Sequence, residues 1–140
     1  MNWNAMQLFI KAYLVTALVF FVIDYLWLAY IAGGFYRSQL GAYMLDQPRL
    51  GVAAVFYVLY VAGIVVFAVL PALKEQSLLT ALMLGALLGL VAYGTYDVTN
   101  YATLRNWPLT VLVVDIVWGM ALTAAASASG YALTRTYWAG

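Results

Sequence analysis

No cysteine and no histidine occurs among the 140 residues. The first absence removes disulfides and thiol nucleophiles. The second removes imidazole bases and histidine-ligated haem, and the two together leave no nitrogen or sulfur donor set for zinc. Charge is scarce as well. Only 8% of the residues are charged, six basic against five acidic, for a net charge of +1. No basic tail or patch exists, so nucleic acid is not an expected partner. Catalysis or cation binding by this chain must run on carboxylate, amide, hydroxyl or phenol oxygens.

What is present in excess is apolar surface. Hydrophobic residues make up 67% of the chain and the mean hydropathy is +0.95, whereas soluble domains are nearer half apolar and about a quarter charged. Too little polar surface remains to coat a globule in water, so the bilayer is the expected solvent. Four apolar runs, about 6–31, 52–70, 78–101 and 109–133, each reach the roughly 20 residues that a spanning helix needs. The first begins like a signal peptide, with Lys11 ahead of an apolar stretch. Asp24 interrupts that stretch, the run is too long, and no small-residue cleavage site follows, so it is read as a retained helix. The expectation is an all-α membrane protein: a single domain over residues 1–140 with four transmembrane helices in two antiparallel hairpins.

The breaks between runs have their own chemistry. Gly33-Gly34 is expected to end the first helix and open the longest loop, to Leu50, and Pro71 to close the second helix. Asn106-Trp107-Pro108 is expected to restart the chain, with Asn106 as a cap and Pro108 in the first turn. Four spans put Lys11, Lys74 and Arg135 on one side and Arg37, Arg49 and Arg105 on the other, so the positive-inside count is tied.

Acids inside such runs are costly, and therefore informative. Asp24 lies about eight residues before the end of the first span, roughly 10–12 Å deep at 1.5 Å per residue. Asp115 lies at a similar depth in the fourth, and Asp97 shallower, near the end of the third. All three fall in the same half of the bilayer. A carboxylate facing lipid is strongly unfavourable, so each is expected to face the bundle interior and find partners. Helical spacing places Trp27 on the Asp24 face; Tyr93, Asn100 and Tyr101 on the Asp97 face; and Trp118 on the Asp115 face. Tyr57 and Tyr60 of the second span lie in the same leaflet, as does Tyr96. Both "VIDYLW" and "VVDIVW" carry an Asp-x-x-Trp spacing, on spans of opposite direction. The stretch "YDVTNYATLRNWP", residues 96–108, then forms the rim and part of the wall of a polar pocket, with Arg105 reaching back toward Asp97. Three carboxylates gathered in a low-dielectric site cannot all be ionised unless a cation joins them.

Blander readings apply to other features. Trp3, Trp107 and Trp138 read as interfacial belt residues. Gly85-x-x-x-Gly89 reads as a close helix contact, within the chain or across a homodimer. Ser127 and Ser129 read as packing or backbone-bonding residues. Lys11 reads as a snorkelling side chain, and Arg105 can equally bind a lipid phosphate.

The residues "YDVTNYATLRNWP", "DYLWL" and "DIVWG", on a four-helix chain of this length, resemble the bacterial membrane family catalogued as domain of unknown function 2177. The resemblance covers essentially the whole chain. It implies a small multi-pass protein of the inner (cytoplasmic) membrane in contact with lipid, and it implies no reaction.

Three functions are compatible with these residues. The first is binding or transport of a cation, a proton or a small amphipathic molecule in the acidic, aromatic pocket, completed by a homodimer. The second is a lipid-modifying enzyme in which Asp24, Asp97, Asn100 and Asp115 hold Mg²⁺, an ion that takes oxygen ligands, while Arg105 holds a phosphate headgroup. The third is an accessory subunit of a larger membrane complex.

Overall fold

The computed structural model describes residues 3–138, the side chain of Trp138 excepted. The belt position read for Trp138 therefore lies outside the described residues. Every regular element among them is helical: α1 (Trp3–Leu26), α2 (Gly33–Leu40), α3 (Leu50–Ile64), α4 (Leu70–Glu75), α5 (Leu78–Thr103) and α6 (Leu109–Trp138). A π-helical turn, Trp27–Ile31, extends α1, and a second, Val65–Val69, joins α3 to α4. Among the described residues four continuous helices are long and apolar enough to cross a membrane: Trp3–Ile31, Leu50–Glu75, Leu78–Thr103 and Leu109–Tyr137.

The side chains are distributed as a lipid solvent requires. Leu14, Val55, Leu79 and Val117 point outward and are exposed, while small and hydroxylated residues such as Ala12, Thr16, Ala81 and Thr123 lie inside. Lipid tails are as apolar as leucine, so burying leucine gains little in a bilayer. Helices associate there through close packing of small residues. The fourth span lies at the centre of the packing, against α5 along much of its length and against α1 on another side. Gly85 and Gly89 make the α5–α6 approach possible. A Cβ on Gly85 would stand 2.8 Å from the Thr123 carbonyl oxygen and 2.9 Å from Ala124 Cα, and one on Gly89 would strike the Gly119 carbonyl. The glycine stripe thus meets another helix of the same chain.

Pro71 does not end the second span, as its missing N–H led one to expect. The helix runs on to Glu75, because the π turn at Val65–Val69 immediately before it already shifts the hydrogen-bond register where the proline has no donor. The turn that follows is short. Gln76 is left-handed (φ 54°), and the Ser77 hydroxyl accepts from the Thr80 N–H at 3.1 Å.

The longest connection is likewise not an open loop from Gly33. Ala32 N–H bonds to the Trp27 carbonyl at 2.7 Å, and the chain folds straight into α2. A Cβ on Gly33 would collide with the Leu28 carbonyl, so only glycine fits this corner. Asn106 serves as the left-handed residue (φ 60°) of the α5–α6 connection rather than as a cap, a conformation asparagine tolerates better than most residues.

Candidate functional site

The two Asp-x-x-Trp segments meet where α1 and α6 pack together. The indoles of Trp27 and Trp118 are stacked, with centroids 4.1 Å apart and planes 6° from parallel. Each indole then serves the acid of the opposite segment. Trp118 Nε1–H donates to Asp24 Oδ1 at 3.3 Å. Trp27 Nε1–H donates to the Tyr36 hydroxyl at 3.3 Å, and that hydroxyl donates to Asp115 Oδ1 at 2.9 Å. Since the helices are antiparallel, the two acids flank the tryptophan stack from opposite ends. Tyr57 of α3 turns its phenol toward Asp24. Burial pushes the Tyr36 phenol above the usual tyrosine range, with Asp115 opposite adding to the effect, so Tyr36 acts as a neutral donor.

Asp97 faces the bundle interior, as expected of all three acids, and is fully buried, while Asp24 is 7% exposed and Asp115 is half-buried. Trp107 is one of its neighbours. The left-handed turn at Asn106 swings this residue inward against the Tyr96 ring, at 5.7 Å, so that it is buried rather than seated in an interfacial belt. Asp97 adjoins Asp115 and faces the Trp107 indole, and neither of its oxygens nor Trp107 Nε1 makes a hydrogen bond. Arg105 does not reach Asp97. It is exposed, and its backbone carbonyl accepts from the Tyr43 hydroxyl at 3.1 Å.

A cavity of about 330 Å³ opens beside the stacked indoles, with Asp24, Trp27, Tyr36, Asp115 and Trp118 on its walls. A second, of about 420 Å³, adjoins it through Tyr57, Tyr93, Tyr96 and Asp115 and extends to Tyr60 and Phe56. Tyr60 lines its far end, hydrogen-bonded to Thr123 at 2.8 Å. Asn100, Tyr101 and Arg105 line neither cavity, and Tyr101 is exposed. Among the described residues no group of three or more acidic side chains is placed to hold a metal ion.

The family model described as "Predicted membrane protein (DUF2177)" matches residues 9–132. The chain belongs to this family. No curated protein and no solved structure matches it. With four helices able to span a bilayer, this DUF2177 member is a multi-pass membrane protein.

The DUF2177 site also uses residues that helical periodicity does not single out. Tyr36 links Trp27 to Asp115 from a helix two turns long, and Leu40 and Met44 of the same connection line the smaller cavity. The available signal was a tyrosine in the short polar run "GGFYRSQL" directly after the first Asp-x-x-Trp segment. Hydrophobic periodicity is weak over so few residues.

Proposed function

We propose that the protein binds a small organic cation in the cavity between Asp24 and Asp115. The observation that carries this reading is the charge of the walls. Two carboxylates line the cavity and a third adjoins one of them, while no lysine or arginine lines either compartment. Acids within a membrane protein normally pair with a cation or a donor. Here Tyr36 and Trp118 supply neutral donors, and no cationic side chain lines the cavity to pair with either carboxyl group. The remaining wall is aromatic, and aromatic faces attract quaternary ammonium groups.

Titration calorimetry of the detergent-purified protein with tetraethylammonium tests the proposal. Binding is expected in the wild type and should weaken at least about tenfold, the equivalent of roughly 1.4 kcal/mol, in Asp24→Asn and Asp115→Asn. Asp46→Asn, in the exposed connection, is the control. No binding by the wild type, or unchanged binding by the double variant, would sink the reading.

A further inference from the structure

The cavity is covered on one side and open on another. α2 lies over the mouth, and its segment is tied across to the fourth span and to the α5–α6 connection three times. Tyr36 donates to Asp115 at 2.9 Å, the Thr110 hydroxyl to Gln39 Oε1 at 3.2 Å, and Tyr43 to the Arg105 carbonyl at 3.1 Å. The lateral side is different. The second span packs against α5 through its π turn and α4, while α3 stands off from α5. The fissure between α3 and α5 is bridged by an edge contact of the Tyr60 and Tyr93 rings at 6.3 Å. Past that contact an apolar groove of about 430 Å³ continues between the same two spans, sharing Phe56 and Tyr60 with the cavity and running by Gly63 and Leu88.

We infer that the cavity is loaded from within the bilayer through the α3–α5 fissure, and that its ligand is a single-chain amphiphile with a cationic head. The head rests beside Asp115 and the tail lies in the groove past Gly63. This rests on the cation-binding reading and adds both the route and the ligand class. Carboxylate, then aromatic rings, then a wholly apolar wall follow one another along adjoining compartments, which is the polarity sequence of a charged head joined to a chain. The covered mouth and the parted helices make the lipid side the open approach. A tail passing through the fissure stays in apolar surroundings, whereas the same tail entering past α2 would have to cross water.

The test uses two probes with one head: tetraethylammonium and dodecyltriethylammonium, with the protein in phosphatidylcholine nanodiscs and empty discs as the partition control. Gly63 has nothing nearer than Phe67 Cδ2 at 4.0 Å where a Cβ would stand, so Gly63→Leu can fill the groove without moving backbone. The chain has no cysteine. Ala53→Cys and Ala92→Cys, on opposite walls of the larger cavity, can therefore be bridged by a bis-maleimide to close the fissure. Gly63→Leu is expected to weaken dodecyltriethylammonium at least about tenfold, roughly 1.4 kcal/mol, and the bridge to slow its association to a similar degree. Tetraethylammonium binding should be unchanged in Gly63→Leu, which lies in the groove beyond the head's cavity. Equal effects of Gly63→Leu on the two probes, whether absent or complete, overturn the inference, as does displacement of the long-chain probe by ordinary phospholipid alone or by a second copy of the chain. Failure of tetraethylammonium to bind the wild type removes instead the reading on which it rests.

Discussion

Replacing Gly89 by alanine adds one methyl group to a helix, a change that normally stabilises it by about 1 kcal/mol. Here the sign should reverse. The new Cβ would strike the Gly119 carbonyl and lie 2.8 Å from Met120 Cα, against an optimum of about 3.5–4.0 Å between carbon atoms. The atoms in the way are backbone and cannot rotate aside, so α5 and α6 must separate by roughly 0.7–1 Å. A gap of that size forfeits about a quarter to a half of each nearby contact energy. Overpacking of this kind costs about 1–3 kcal/mol, enough to outweigh the gain in helix propensity. Gly94 is the internal control. It lies on the same helix with nothing within 4 Å of a Cβ, so Gly94→Ala should be neutral or stabilising by up to about 1 kcal/mol. Thermal unfolding in detergent, followed by circular dichroism, reads both, at roughly 3–6 °C per kcal/mol for a chain of this size. A Gly89→Ala protein that melts with Gly94→Ala, at or above the wild type, would refute the close approach of the two helices.

A related clash occurs at Gly130, where a Cβ would meet Thr16 Oγ1 and then Val69 Cγ2 at 3.2 Å. Gly130→Ala should destabilise, and Thr16→Ala, which removes a buried hydroxyl without a partner, should restore about 1 kcal/mol in a double-mutant cycle; strict additivity would argue against the contact. Tyr60→Phe removes the buried bond to Thr123 and should lower stability by about 1 kcal/mol, read as a shift in the unfolding midpoint. Tyr36→Phe should loosen α2 while leaving α5 and α6 intact. Loss of a bond to a carboxylate, about 1.5–3 kcal/mol, should appear in exchange mass spectrometry as faster amide exchange over residues 33–40, and unchanged exchange there would show that this bond does not hold the cover down.

Much of the architecture was legible because a bilayer imposes a simple code. Twenty apolar residues make a span, and three acids counted from span ends share a leaflet. The repeated Asp-x-x-Trp spacing carried more information than it first showed. It marked two segments that meet face to face, but the crosswise bonding follows from α1 lying against α6. Chain order does not reveal that neighbour, because the first and last spans are the farthest apart in sequence. The partner of Asp97 was misjudged for a similar reason. Arg105 was expected to reach back to it, but Arg105 is exposed, and the residue turned inward after the left-handed Asn106 is Trp107. Tyr36 was missed because two turns of helix carry too few residues for a periodic signal, and its role is set by what it reaches across the bundle.

The crosswise pairing also has a consequence for how the protein is made. Asp24 enters the membrane in the first span, and its donor Trp118 follows 94 residues later. At about 5–20 residues per second that interval is roughly 5–20 s. Throughout it, a lone apolar helix must hold a carboxyl group whose insertion alone costs on the order of 2.5–3.5 kcal/mol. The leucine, valine and phenylalanine of the first span, whose most apolar 18-residue stretch has a mean hydropathy of 2.1, have to carry that load until the last helix arrives.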